Sequence, residues 1–447
     1  MKKLFSKIRF YFMFVKAFWV KRKRIVLVSF VATIIASFLL QRLVLLQIGS
    51  PALKIGIIGL YETTSLPKEV SSLISLGLTK ALPNGQIEPG VAKSWEAKEN
   101  GQLYSFYLKD NLFWHDGEEI TTKNISYNFS DVSVEIVDQK TLNFHLKDPF
   151  SPLPVFLSEP IFKNNKLIGA GEYKVKSIEK SGKTIKKLVL VPVDKLDDQK
   201  IIIKFYPNEK AAVAGFKLGE VDSIKNISNI YELDKWSDVK IESKTNFNQY
   251  VGLFFNTQND KFSDKPVRQA LSYSIKKNWD NRALSSYNPS SWAFNKQVKT
   301  YEFDLENAKK LLGQEGSDSE KPPIDKIVLS TVSFLAETAK KIQEDWQNFG
   351  IETEIKFINS TSEDYEVLLI SQEIPIDPDQ YALWHSTQPL NLSHYKSPKL
   401  DKLLEDGRKI LDQEKRKEIY FDFQRFLIED SPAIFLYYPT NYTISRR

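Results

Sequence analysis

The chain has 447 residues, 42% of them hydrophobic, and a formal net charge of +6. That length is more than one core usually holds, so at least two lobes are expected. The absence of cysteine excludes disulfides, thiolate metal sites, thiol nucleophiles and a lipid anchor on an N-terminal Cys. The charge is concentrated at one end. Residues 1–24 carry nine basic residues and no acid, and with these and Arg42 set aside, 52 basic residues stand against all 56 acidic ones. The body is therefore slightly acidic and lacks the basic balance that nucleic-acid binding requires.

In chain order, residues 1–24 read as a cytoplasmic basic segment. Ile25–Ile48 is free of charge apart from Arg42, predominantly apolar, and reaches the roughly 20 residues that cross a bilayer. Lys21–Arg24 stands immediately before it, so the positive-inside rule places the N-terminus in the cytoplasm and the body on the extracytoplasmic side of the cell membrane, held by a single pass. A cleaved signal peptide is the alternative. A strand follows in Leu53–Gly59, then a helix over Ser71–Leu82 ending at Pro83-Asn84-Gly85. Leu103–Leu108 alternates as a strand. Leu112–Trp114 is a short second strand, Asp116-Gly117 a tight turn, and Thr121 or Thr122 a helix N-cap. Strands are expected over Val132–Val137, Thr141–Leu146, Lys186–Val193 and Lys200–Tyr206. Gly169-Ala170-Gly171 reads as a turn that needs positive φ, and no phosphate-loop spacing follows it. Asp264 can cap a helix whose Val267, Leu271 and Ile275 form one stripe. Gly313–Pro323 is a polar linker. Strand Lys326–Thr331, helix Ala336–Asn348 closed by Gly350, and strand Ile351–Phe357 complete an α/β pattern.

Several of these segments, in this order, resemble the family 5 extracellular solute-binding proteins of ABC importers, the dipeptide-, oligopeptide- and nickel-binding group. They are Ile87–Glu96, Leu103–Phe129, Gly169–Val175, Ala211–Ile224, Leu253–Ile275, Tyr301–Leu312, Asp364–Trp384 and Asn391–Tyr438. The resemblance implies a periplasmic-binding-protein-like α/β fold of the large class, with two lobes and a hinge, behind an N-terminal transmembrane helix at 25–48. Its implied divisions are 51–86, 166–248 and 432–447 for lobe I, the last truncated, 87–165 for a reduced lobe II, and 249–431 for lobe III. It implies capture of a peptide or other small solute, delivery to ABC permease subunits, association with the membrane, no cofactor and no catalysis.

Peptide-binding relatives hold the ligand ammonium with an aspartate four residues before the proline that is Pro378 here; this chain has Ile374 there, with Glu373 adjacent. Asp377 and Asp379 match the family's paired aspartates, as ligand contacts or as turn and capping groups. Trp292, Trp384 and Tyr250 offer apolar faces to a solute, with core packing as the alternative. Arg268 and Asn256 are expected to satisfy backbone groups. His385 with His394 is a conceivable metal pair. A second reading of the chain is a membrane-tethered sensor or surface scaffold that has kept the fold and lost peptide binding. A peptide hydrolase would need a nucleophile that no motif supplies.

Overall fold

The structure, a computed structural model, describes residues 52–447 except 128, 195–198, 314–323 and 362–363, with a few isolated positions between 13 and 38. Most of the expected anchor at 25–48 and most of the linker therefore lie outside the described residues. Among the described residues no helix is long and apolar enough to cross a membrane.

Three sheets organise the body. A seven-stranded mixed sheet runs, in spatial order, Val239–Thr245, Thr440–Arg446, Ser223–Ile227, Leu53–Ile58, Ile201–Tyr206, Thr184–Pro192 and Tyr173–Ser181. Leu53–Ile58 is parallel to both of its neighbours. One face buries Ile55, Ile57, Leu188, Leu190, Ile203 and Phe205. The other is partly covered by helix Glu209–Lys217, which sets Ala212, Val213 and Phe216 against Ile224 and Ile444. Parallel strands joined through a covering helix are the α/β unit the sequence pattern anticipates.

A five-stranded sheet runs Glu352–Phe357, Lys326–Thr331, Val367–Glu373, Gln249–Phe255 and Ala433–Tyr437. Gln249–Phe255 is almost wholly apolar because both its faces are covered. Tyr250 and Phe254 join the core under helices Pro398–Gly407 and Gln413–Asp430, while Val251, Leu253 and Phe255 join the core under helices Lys265–Tyr273 and Ala336–Asn348. A four-stranded antiparallel sheet, Ala92–Lys98, Leu103–Leu108, Thr141–Leu146 and Val132–Ile136, forms the small lobe. It packs Tyr104, Phe106, Leu142 and Phe144 against Trp114, Ile120 and Leu153.

Several local expectations are corrected. The helix expected over Ser71–Leu82 is Lys68–Ile74, followed by strand Thr79–Ala81. Gly77 lies so close beneath Leu157 and Ser158 that a Cβ would stand 2.5 Å from the Leu157 carbonyl, so packing overrides the helical pattern. Leu112–Trp114 makes only a bridge, Phe113 to Glu119, around the turn at Gly117. Thr121 does cap, but a single 3₁₀ turn, with Asn124 Oδ1 accepting from the Thr121 N–H at 3.0 Å. Gly169 and Gly171 are required for close approach rather than for positive φ, since Cβ atoms there would meet the carbonyls of Ile74 and Leu73 at 2.1 and 2.6 Å. The return of the chain differs as well: Ala433–Tyr437 is the last strand of the five-stranded sheet, and only Thr440–Arg446 enters the seven-stranded sheet, where it pairs on both sides.

Candidate ligand-binding crevice

The chain crosses between the two large sheets twice, at Asn246–Asn248 and at Tyr438–Pro439. The crossings are tied by the Asn246 N–H donating to the Pro439 carbonyl at 2.8 Å. Strand register decides what faces them. Ile224 pairs with Ile444 and Ile227 with Tyr442, so Ser223–Ile227 ends toward the crossings, and Leu53–Ile58, parallel to it, ends there too. In the five-stranded sheet Glu373 pairs with Gln249, the first strand residue past one crossing, and Leu369 with Thr331. The carboxyl ends of the parallel strands of both sheets therefore face each other over the crossings, the position where open α/β sheets take their ligands.

This crevice exposes apolar side chains that no core claims. Leu60 is 64% exposed, Phe334 63% and Phe247 40%. Phe247 stands edge-on to Tyr438 at 5.2 Å. Polar groups are few and short: Asn288 Nδ2 donates to Asn248 Oδ1 at 3.3 Å, and the Ile374 N–H to the Asn248 carbonyl at 2.8 Å. Glu373 is an exposed carboxylate on the third-lobe side, next to the first crossing, and Glu337, three residues past Phe334, is a second.

The six residues singled out from the sequence fall in three places. Glu373 is at the crevice. Tyr250 and Trp384 are interior, at 0% and 3% exposure, both packed on Phe254 and Phe435. Neither the Tyr250 hydroxyl nor Trp384 Nε1 has a partner among the described residues. Trp292, Asp377 and Asp379 gather at a seam where the small lobe and the Thr79–Pro89 hairpin meet the third lobe. The Trp292 N–H donates to the Asn84 carbonyl at 3.2 Å, and Gly85, in positive φ, seats directly on the Trp292 ring.

At this seam the carboxylates are bound internally. Arg416 Nη2 donates to Asp377 Oδ1 at 2.6 Å, Arg416 Nε to the Gly407 carbonyl at 2.9 Å, and both side chains are over nine-tenths buried. Arg408 Nη2 reaches Asp379 Oδ2 at 3.1 Å, its guanidinium between the rings of Tyr381 at 4.1 Å and Phe150 of the small lobe at 4.9 Å. The Ser151 N–H donates to the Arg408 carbonyl at 2.8 Å. Asp377 and Asp379 also accept from the N–H groups of Asp379 and Tyr381 at 2.9 and 3.0 Å, the turn and capping roles open to them from the sequence. Burial pushes the Asp379 carboxyl above its usual range, against the pull of Arg408. Burial likewise raises the Tyr104 phenol of the small lobe to about 12, with Arg416 opposing and Asp377 adding to the rise. Sequence reasoning missed Arg408, and it placed Arg416 only within the Asn391–Tyr438 resemblance without giving it a role.

Arg268 satisfies backbone as expected, donating to Phe262 and Ser263 at 2.7 Å and to Asp430 at 2.8 Å. Asn256 Nδ2 donates to the Tyr365 carbonyl. His385 stacks on Tyr381 and His394 on Tyr365, and no group of three or more His, Asp or Glu able to hold a metal occurs among the described residues.

Two α/β sheets facing across paired crossings define a hinged binding protein. Residues 86–391 match the family described as bacterial extracellular solute-binding proteins, family 5 Middle, and the chain belongs to that family. It is similar to the oligopeptide-binding protein AppA of Bacillus subtilis, with 25% identity over 480 residues, covering 90% of this chain and 86% of the relative. Among solved structures it resembles NikZ from Campylobacter jejuni in complex with Ni(L-His), with TM-score 0.72, 24% identity and coverage of 89% and 94%. The structure of Bacillus subtilis AppA in complex with a nonapeptide is similar at TM-score 0.68, 22% identity and the same coverage. The protein is thus an extracytoplasmic solute-binding component of an ABC importer, a non-enzymatic part of a transport system.

Proposed function

We propose that this solute-binding protein takes peptides in the crevice between its two large sheets, delivers them to ABC permease subunits, and is held at the membrane by residues 25–48. The observation that carries the ligand reading is the lining: unclaimed apolar side chains at Leu60, Phe247 and Phe334, short amides at Asn246, Asn248 and Asn288, and the exposed carboxylate Glu373 beside the crossing. Such a surface suits an extended chain of varied sequence, bound through its backbone and apolar side chains, with Glu373 as the partner for an ammonium. Trp292 bounds the site at the seam, while Asp377 and Asp379 serve it indirectly by fixing that seam. The name of the Bacillus subtilis relative supports the ligand class. The anchor rests on the apolar length and its basic flank.

The test is native mass spectrometry of the full chain from detergent, as isolated and after unfolding and refolding. A mixed set of bound masses in the peptide range, lost on refolding, is the expected result. A single non-peptide mass keeps transport and changes the ligand. No bound mass, with no thermal shift from a peptide library, favours the second reading, a tethered sensor or scaffold. Ile374 at the position of the relatives' aspartate is the observation on that side.

A further inference from the structure

The two edges of the seven-stranded sheet differ in charge. The crossings join it at the edge strand Val239–Thr245 and its neighbour Thr440–Arg446, so the crevice is closed on that side. Its open side lies toward the other edge strand, Tyr173–Ser181, six strand spacings or about 29 Å away. Tyr173–Ser181 and Thr184–Pro192 form a hairpin that turns at Gly182, in positive φ. Lys187 pairs with Lys204 in the strand parallel to Leu53–Ile58, so the turn lies at the crevice end. Residues 173–187 hold six lysines and one acid, Glu179. Lys187 pairs with Glu179 at 2.6 Å. Lys174, Lys176, Lys180, Lys183 and Lys186 are exposed and have no ion pair among the described residues. Glu172 and Asp194 flank the hairpin at the end away from the crevice. At the other end Glu62 follows Tyr61, whose carbonyl accepts from the Ile185 N–H at 2.8 Å. Lysine on an edge strand deters pairing with other chains, but two other edges here do this with mixed signs. Lys240 pairs with Glu242 at 2.5 Å on Val239–Thr245, and Glu352 and Glu354 on Glu352–Phe357 share Lys326 at 3.2 and 2.8 Å. Five unpaired charges of one sign exceed what edge protection needs.

Chain length decides what this hairpin can reach. Four residues link Ile48 to Leu53, and fully extended they span at most about 18 Å. Strand Leu53–Ile58 is three spacings, about 14 Å, from either edge of its sheet. With residues 25–48 across the bilayer, the body can therefore lie on either edge, and charge chooses between them. We infer that the lysine hairpin rests on anionic lipid headgroups of the membrane that anchors the chain, and that this contact turns the open side of the crevice toward the bilayer. The inference rests on the anchored reading proposed above. It brings the mouth of the crevice to the surface where permease subunits would receive the solute, an orientation that a bare tether does not impose. Each lysine held at an anionic surface strengthens the contact about fivefold. The field of these lysines fades over about 10 Å at 0.1 M salt, so the contact holds only with the hairpin at the headgroups.

The chain has no cysteine, so one introduced thiol carries one fluorophore. The full chain is labelled through Ser177→Cys on the lysine edge or Ser243→Cys on the crossing edge, both exposed, and reconstituted into phosphatidylcholine vesicles with or without phosphatidylglycerol. With phosphatidylglycerol at low salt, quenching by a lipid-borne headgroup quencher is expected to be several-fold stronger at 177 than at 243. That excess should vanish at high salt, in phosphatidylcholine alone, and in the triple variant Lys176→Gln, Lys180→Gln, Lys183→Gln. Vesicle flotation separates the two claims. Protein that floats with no excess at 177 overturns the lipid contact, leaves the anchor, and assigns the hairpin to an acidic protein surface. An excess that ignores lipid charge and the triple variant also overturns the lysine contact. Protein that fails to float overturns the anchor and the contact together.

Discussion

The crevice and the seam are both built on the third lobe, and they use polar groups in opposite ways. At the seam every carboxylate singled out from the sequence is matched by an arginine of the same lobe, and the small lobe closes over the result. At the crevice the carboxylate and the rings stand exposed. Charge alone therefore does not mark a binding site in this molecule; what separates the two regions is whether a group already has its partner.

The sharpest way to break this contrast is Asp377→Ala. It leaves Arg416 buried with its charge unmatched, a loss of about 3–5 kcal/mol. Urea unfolding followed by tryptophan fluorescence measures it, and a loss under about 1 kcal/mol would show that the seam is not held by this pair. Asp379→Ala costs less, about 2 kcal/mol, because the Arg408 side chain keeps 27% exposure and its stacking on Tyr381 and Phe150. Asp379 also gives the seam a pH signature. Its folded pKa lies above the ordinary 3.8, so the native state holds a proton that the unfolded chain releases. The stability from that proton is complete below the ordinary value and is lost as pH rises through the folded one. Asp379→Asn should flatten that decline in the urea midpoint, and an unchanged slope would assign it to other groups.

Much of the third lobe was legible from sequence alone. Lys326–Thr331 and Ala336–Asn348 form over the residues expected, because a buried strand and an amphipathic helix carry their periods locally. Arg268 was legible for a similar reason, since the carbonyls of Phe262 and Ser263 are close in the chain. The seam was not, because Asp377 and Arg416 stand 39 residues apart and meet only through the packing of helix Gln413–Asp430. Tyr250 and Trp384 misled for the opposite reason. Aromatic content suits a cleft and a core equally, and only the covering helices decide. The crevice residues Leu60 and Phe247 sit in loops and Phe334 in a 3₁₀ turn, with no motif; what makes them a group is the strand direction set by tertiary register.

At the crevice the effects should appear in binding and not in folding. Glu373→Gln keeps size and removes the charge, so an ammonium-bearing peptide should bind roughly tenfold more weakly. Stability should stay within about 0.5 kcal/mol. Isothermal titration with a peptide and with its N-acetylated form separates the roles: if Glu373 meets the ammonium, acetylation weakens the parent protein and leaves the variant almost unaffected. Equal losses in both would place the ammonium elsewhere.

The smallest effect expected is that of Phe334→Ala. Its ring is 63% exposed and follows the end of strand Lys326–Thr331, so truncation opens no cavity and the urea midpoint should not move. If the ring instead covers part of a bound peptide, the loss of that apolar contact weakens binding by about 1 kcal/mol, roughly fivefold. The same truncation at Phe156, which is 54% exposed beside Phe150 at the seam, should leave peptide affinity unchanged. Two rings of similar exposure then give different answers only if the crevice, and not the seam, is where the ligand lies.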